Sequence, residues 1–406
     1  MSSKSKIYHL TLLTSVLAYM SNTFVGNIPY VVTDAPIQEF HFLPKFFIDT
    51  SVTILFFQHL GIFIGAIVFS TFVDKKGRLF ILFLSVFIYS FATFLSGIVD
   101  NYYQFLVLKF IIGFGLAPEL GIGIVLVSEI YSPKKRSLVV ALIGAVGFMA
   151  VIALSFLVKV VSWRDLYIGV GLGGLLIMLL RFSTFESDLF LKIKKEKTKE
   201  TSLKSILFNK KFLFLLLCVF PIYVLTAIST FTVFELSENY HLITERATLA
   251  KFFAGGIILG FVAMPLLSTF LKSRKVIIQI CLISLLCLSI FLCLLSVLKP
   301  KELIYLEFFY FLITCFGFFG GYLFEFFIFA LEQFGTNTRA SSAMLLFSFG
   351  RTSVLVFSYF ISKTNALVFK NYTYTLFVTE MIVFGMAFWA ISNLKETYNR
   401  DLDFVD

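Results

Sequence analysis

The chain has 406 residues, 59% hydrophobic and 14% charged, with a mean hydropathy of +0.93 and a net charge of +10. No soluble core absorbs that much apolar surface, so a water-soluble globular protein is excluded and a lipid bilayer is required as solvent. The basic excess lies mostly in loops between apolar segments, which argues for membrane topology and against nucleic acid as a partner.

Apolar segments near the ~20 residues that cross a bilayer fall at about 8–32, 50–72, 79–99, 103–127, 138–160 and 164–182, then 211–235, 248–271, 275–298, 303–330, 340–362 and 371–393. They predict an all-α integral membrane protein of twelve transmembrane helices in two pseudo-symmetric six-helix halves, residues 1–182 and 211–406, joined by a linker at 183–210. The linker run Lys192, Lys194, Lys195, Glu196 and Lys197 reads either as a solvated amphipathic connector or as a contact for anionic lipid headgroups. If the N-terminus is cytosolic, 23 Lys and Arg residues fall on the cytosolic side and 9 on the other. That bias predicts cytosolic termini, and the membrane is read as a bacterial cytoplasmic one. The first segment holds Asn22 and Asn27 and lacks a small-residue cleavage site, so it reads as a retained span.

In chain order, the first span carries Tyr19, Asn22, Thr23, Gly26, Asn27 and Tyr30 on one helical face. The second holds Gln58 and His59, the histidine being either a group that titrates near neutral pH or a neutral hydrogen-bonded one. It leads into a loop with Gly65, Asp74, Gly77 and Arg78, where an acid at a helix end, a turn glycine and a base form a charged clasp. The fourth span buries Glu119, a candidate for proton coupling or a structural carboxylate; Lys109 lies off its face, about 15 Å along the axis. The span ends in Glu129, seven residues before Arg136.

That pair recurs as Glu332 and Arg339, offset by 203 residues, and the same frame carries Gly147 onto Gly350. It also matches Thr23 with Thr226 and Asn27 with Thr230 in the seventh span, beside Tyr223. Matched polar faces suit a central cavity between two halves, though interhelical hydrogen bonding accounts for each helix singly. Ser268 to Lys275 echoes the first clasp without counterparts of Asp74 and Gly77. In the tenth and eleventh spans, Glu325 and Arg351 lie at similar depth, which suggests a bridge between them, permanent or gating. Tyr322 is the repeat counterpart of Glu119, and Glu307 falls at an interface. The five cysteines sit within spans at spacings that support neither a disulfide nor a metal site.

The Gly65-to-Arg78 loop resembles the signature G-x-x-x-D-x-x-G-R-[KR] of the major facilitator superfamily, with Leu79 in the last basic position. Lys109 to Gly121 with Ser128 to Arg136, Trp163-Arg164, Glu186 and Glu332 to Arg339 resemble the metabolite:proton symporter and sugar porter-like branch, with Glu119 and Pro118 in altered order. The resemblance implies alternating access, driven by an ion gradient rather than a cofactor.

The reading is therefore a non-enzymatic, monomeric secondary transporter, with the bilayer and a small-molecule solute as its partners. It predicts proton-coupled uptake of a small polar or anionic organic solute, such as an amino acid or a carboxylate-bearing metabolite. Glu119, Glu325 and His59 are the coupling candidates. Tyr19, Asn22, Thr23, Asn27, Gln58, Tyr223, Thr226, Thr230, Tyr322 and Arg351 are the cavity candidates. An exporter of a siderophore or toxic amphiphile, and a non-transporting transceptor or scaffold, are the alternatives. A phosphate-binding loop is absent from the sequence, which leaves direct ATP drive unsupported.

Overall fold

The computed structural model describes residues 3–32, 34–40, 50–181, 203–239, 246–298, 306–364 and 372–404. Among the described residues every regular element is a helix. The first half comprises α1 (Ser3–Val31), the short α2 (Asp34–Glu39), α3 (Thr50–Lys76), α4 (Arg78–Ser96), α5 (Tyr102–Ile130), α6 (Pro133–Leu157) and α7 (Trp163–Arg181). The second comprises α8 (Leu203–Leu207), α9 (Lys210–Asn239), α10 (Arg246–Leu271), α11 (Arg274–Leu298), α12 (Leu306–Gly320), α13 (Tyr322–Leu331), α14 (Arg339–Thr364) and α15 (Tyr372–Ser392). Among the described residues ten helical stretches are long and apolar enough to cross a membrane, with α12 and α13 together making one. The helices α1 and α9, of 29 and 30 residues, match them in length. The protein is a multi-pass integral membrane protein. Most of the 183–210 linker lies outside the described residues.

Helix ends follow local chemistry. Asn101 caps α5 by accepting from the Tyr103 amide at 2.8 Å, and Pro133 opens α6, where its missing N–H costs nothing. The α3–α4 turn is the single residue Gly77 at φ 107°, a conformation side chains disfavour. The second half, which lacks that glycine, turns between α10 and α11 with Lys272 at φ 53°, a strain of about 1–2 kcal/mol. Pro29, Pro118, Pro221 and Pro265 lie inside helices without ending them. The tenth span, read from sequence as continuous, divides at Gly321, whose Cα faces Gly260 so closely that neither glycine has room for a Cβ.

Each half is seamed by glycine. Gly61 and Gly65 of α3 press on the α5 backbone at Phe110 and Phe114, and Gly113 of α5 presses back on Gln58. In the second half Gly256 and Gly260 of α10 press on Thr314 and Phe318 of α12, and Gly317 presses back on Phe253. Lipid offers apolar side chains no less than a protein does, so such backbone contact is what favours helix pairing. The halves meet where α14 lies on α3 and α5, and where α6 lies on α10. Ser341 Oγ donates to the Ser70 carbonyl at 3.0 Å, and Gly121 abuts the Met344 backbone. On the face remote from the termini, Arg164 at the start of α7 holds Glu39 at 2.9 Å and Asp100 at 3.0 Å. Hydrogen bonds from Arg164 and Trp163 keep the Glu39 carboxyl below its usual range.

Candidate functional site

A cavity of about 180 Å³ lies between the halves. Its polar side is Tyr19, Asn22, Thr23, Asn27 and Tyr30 of α1, with Gln58 and His59 of α3, Tyr223 of α9 and Arg351 of α14. The opposite side is an apolar wall of Leu249, Phe253, Ala254 and Ile257 from α10, with Ile313 and Leu323. These residues come from the portion of each helix distant from the Glu129 and Glu332 ends, so the cavity extends away from the face that holds the termini. Below it, Phe324 meets Tyr19 edge-on at 5.7 Å and Phe261 at 4.6 Å, while Phe148 meets Phe261 at 5.3 Å. These rings form a floor.

Arg351 is the distinctive group. It projects from the second half toward α1, where a Cβ on Gly26 would sit 2.9 Å from its Nη2. Among the described residues no carboxylate lies within salt-bridge distance of it, and no carboxylate lines the cavity. The neighbouring polar groups are spoken for in part. Asn27 Nδ2 donates to the Thr23 carbonyl at 2.7 Å, Asn22 Nδ2 to Leu116 at 3.3 Å, and Gln58 Nε2 to Gly26 at 3.3 Å. His59 Nδ1 lies 2.9 Å from the Leu55 carbonyl, which can only accept, so Nδ1 carries hydrogen, and Nε2 lies 3.2 Å from Tyr30 Oη, a hydroxyl able to donate or accept. This places an imidazole in the cavity wall with both ring nitrogens hydrogen-bonded.

Beneath the floor lies a buried ionic cluster arranged twice. Arg78 pairs with Glu129 inside the first half, and Arg339 of the second half reaches the same carboxylate at 2.9 Å. Arg274 pairs with Glu332 at 2.8 Å inside the second half, and Arg136 of the first half reaches that carboxylate at 2.9 Å. Each half thus sends one arginine to the other's acid. Residues 396–404 cover the cluster: Arg339 Nη2 donates to the Leu402 carbonyl at 2.8 Å, Arg136 Nη1 to Arg400 at 3.3 Å, and Thr336 N to Phe404 at 2.8 Å. The second cluster has one more acid, Glu325, bound to Arg274 at 2.7 Å with its Oε2 unpaired.

This corrects the bridge inferred between Glu325 and Arg351. The two do share a depth range, but Glu325 faces α11 and Arg274, whereas Arg351 faces the cavity and α1. Of the cavity candidates, Tyr19, Asn22, Thr23, Asn27, Gln58, Tyr223 and Arg351 line one space. Tyr322 is buried but stands outside the lining, and the side chains of Thr226, Thr230 and Asp74 lie outside the described residues. Glu119 is 2% exposed and also outside the lining, directed along α5 toward Gly123. Lys109 does not serve it: Nζ bonds the Tyr167 hydroxyl and sits 4.4 Å over the Phe105 ring.

Two features were missed. The α10 wall carries no polar signal, because a cavity-facing leucine and a lipid-facing one look alike in sequence. Glu380 is buried in α15 near Ser289, and the signal for it was there: one charged residue in an otherwise uncharged 21-residue helix.

The fold is similar to that of solved transporters. The proton:xylose symporter XylE, bound to 6-bromo-6-deoxy-D-glucose, superposes with a TM-score of 0.78 over 98% of both chains at 12% identity. The Escherichia coli fucose:proton symporter FucP gives 0.70 over 95% of this chain and 98% of that one, at 14% identity. At such identities the likeness is of fold alone. In sequence, the sialic acid transporter NanX of Escherichia coli is 31% identical over 162 residues, 39% of each chain. An organic cation transporter-like protein of Drosophila melanogaster is 31% identical over 156 residues, 37% of this chain and 27% of that one. The matched stretches span about a third of the length of these curated relatives. The model of the Major Facilitator Superfamily matches residues 10–350, most of the chain, and the chain therefore belongs to that superfamily.

Proposed function

We propose that this protein is a secondary transporter that takes up a small organic anion together with protons, by alternating access. One observation carries the reading: the cation Arg351 in a cavity whose described residues offer it phenols, amides and an imidazole but no acid. A charge inside a bilayer costs roughly 2.5–3.5 kcal/mol on insertion scales and persists when a partner or function repays it. A solute carboxylate is the partner that fits, since the guanidinium fork bonds both its oxygens. The apolar α10 wall suits the body of such a solute, and about 180 Å³ suits a small one.

Cotransport of a proton would offset the anion's charge. His59 is the coupling candidate that lines the cavity; Glu325 and Glu119 lie beyond it. With the termini cytosolic, as the lysine and arginine bias argues, the structure is closed to the cytosol and its cavity faces outward.

Binding tests the anchor. Purified protein is expected to bind a monocarboxylate probe, benzoate, and Arg351→Gln to weaken it about tenfold or more, the loss of a charge-assisted pair worth about 1.5–3 kcal/mol. Equal affinity in the folded variant would remove Arg351 as the anion contact.

A further inference from the structure

Two of the cavity's tyrosines rest on glycine, one from each half. The ring of Tyr19 of α1 lies against Gly147 of α6, where a Cβ would intrude on Cδ1 and Cε1. The ring of Tyr223 of α9 lies against Gly350 of α14, where a Cβ would fall 2.7 Å from Cε2 and 3.0 Å from Cδ2. Both rings line the cavity. The two glycines are 203 residues apart and the two tyrosines 204, so the contact recurs in both halves with the tyrosines one residue out of the glycine frame.

Neither glycine is explained by its backbone. Both lie inside long helices, without a positive φ, where glycine is a poor helix former. What each supplies is a missing side chain under a ring. Other side chains crowd the seat: Phe324 stands edge-on to Tyr19 at 5.7 Å, and Thr23, on the same helix as Tyr19, has its Oγ1 3.3 Å from the position of a Gly147 Cβ. At Gly350 the neighbour is Val219, whose Cγ1 lies 2.9 Å from that position. A ring lifted off its glycine therefore moves toward the open side, which is the cavity.

We propose that Gly147 and Gly350 set the width of the cavity, and through it the largest solute accepted, by letting the ring edges of Tyr19 and Tyr223 pack directly against α6 and α14. They are positioning residues that act through the two rings. The proposal rests on the cavity being the solute site, as argued above. A methyl at either position pushes a ring inward; Gly147, with the closer overlap, has the larger effect. The site then rejects bulky solutes and keeps small ones. A merely structural role would instead lower affinity for all sizes alike.

The test is calorimetric titration of the purified full chain with acetate, benzoate and 2-naphthoate, in parallel with the neutral analogues acetamide, benzamide and 2-naphthamide. Wild type is expected to bind acids up to a size limit. In Gly147→Ala the ratio of naphthoate or benzoate affinity to acetate affinity should fall at least tenfold, and in Gly350→Ala it should fall less. Adding Tyr19→Leu to Gly147→Ala removes the displaced ring and should restore the wild-type ratio. Melting of each variant checks folding, and if Gly147→Ala alone does not fold, the double variant and Gly350→Ala carry the comparison. An unchanged size ratio in folded variants, or no rescue by Tyr19→Leu, would overturn the proposal. If amides bind with the shifted limit and no acid binds, the seats stand and the anion reading fails. No binding of either series by wild type overturns both.

Discussion

Arg351 and Glu396 illustrate how a single side chain takes its role from what surrounds it. Arg351 has no carboxylate partner among the described residues and faces open space, so its charge is placed to meet a ligand. Glu396, by contrast, is fully engaged at the start of α11, accepting from the Arg274 and Lys275 amides at 3.1 Å each and from the Ser273 hydroxyl. Burial opposes its ionisation, but the Ser273 hydroxyl and the backbone N–H groups of Tyr398, Thr397 and Arg274 outweigh burial and hold the carboxyl below its usual range. An acid depressed in the folded state stabilises above its unfolded pKa, near ~4.3, and loses that contribution as pH falls through the folded value. Glu396→Gln should therefore cost about 1 kcal/mol at neutral pH, solvent screening included. The two melting curves should converge as pH drops below about 4; a difference that persists there would show that the carboxylate charge is not what holds this end of the chain.

At the scale of elements, the glycine seams position everything else. Gly61→Ala would drive a methyl into the Phe110 carbonyl, an overpacking cost of about 3 kcal/mol or more because backbone cannot rotate away. We expect a melting temperature lowered by several degrees, and the same for Gly256→Ala on α10; unchanged melting would mean that these helices do not need their close approach. The seams also show what sequence could and could not disclose. Twelve apolar segments, the Glu–Arg repeat and the α1 stripe were legible because each depends on spacing along one helix. The paired Gly-x-x-x-Gly motifs escaped because they recur at an offset of 195 residues, Gly61 to Gly256, rather than 203. The partner of Glu325 escaped for a different reason: depth follows from residue count, but the direction a side chain faces is decided by how helices pack. Arg274 reaches it from α11, a helix whose sequence gave no cue to that rotation.

On the scale of the whole molecule, the repeat acquires a mechanical sense. Two carboxylates, Glu129 and Glu332, each hold an arginine from their own half and one from the other, all buried. Removing one partner from such a cluster costs about 3–5 kcal/mol, so while intact the arrangement ties the two halves together at this face. The cavity, its tyrosine seats and Arg351 lie on the far side of the Phe148–Phe261–Phe324 floor. Transport then requires that filling the cavity and releasing the cluster be linked, with a proton as the proposed companion of the anion. The direct test is uptake of radiolabelled benzoate into proteoliposomes with an acid exterior, corrected for passive entry into protein-free vesicles. Concentrative uptake that rises with the pH gradient in wild type and disappears in Arg351→Gln is the predicted result. Uptake indifferent to the gradient, or undiminished in Arg351→Gln, would contradict the account.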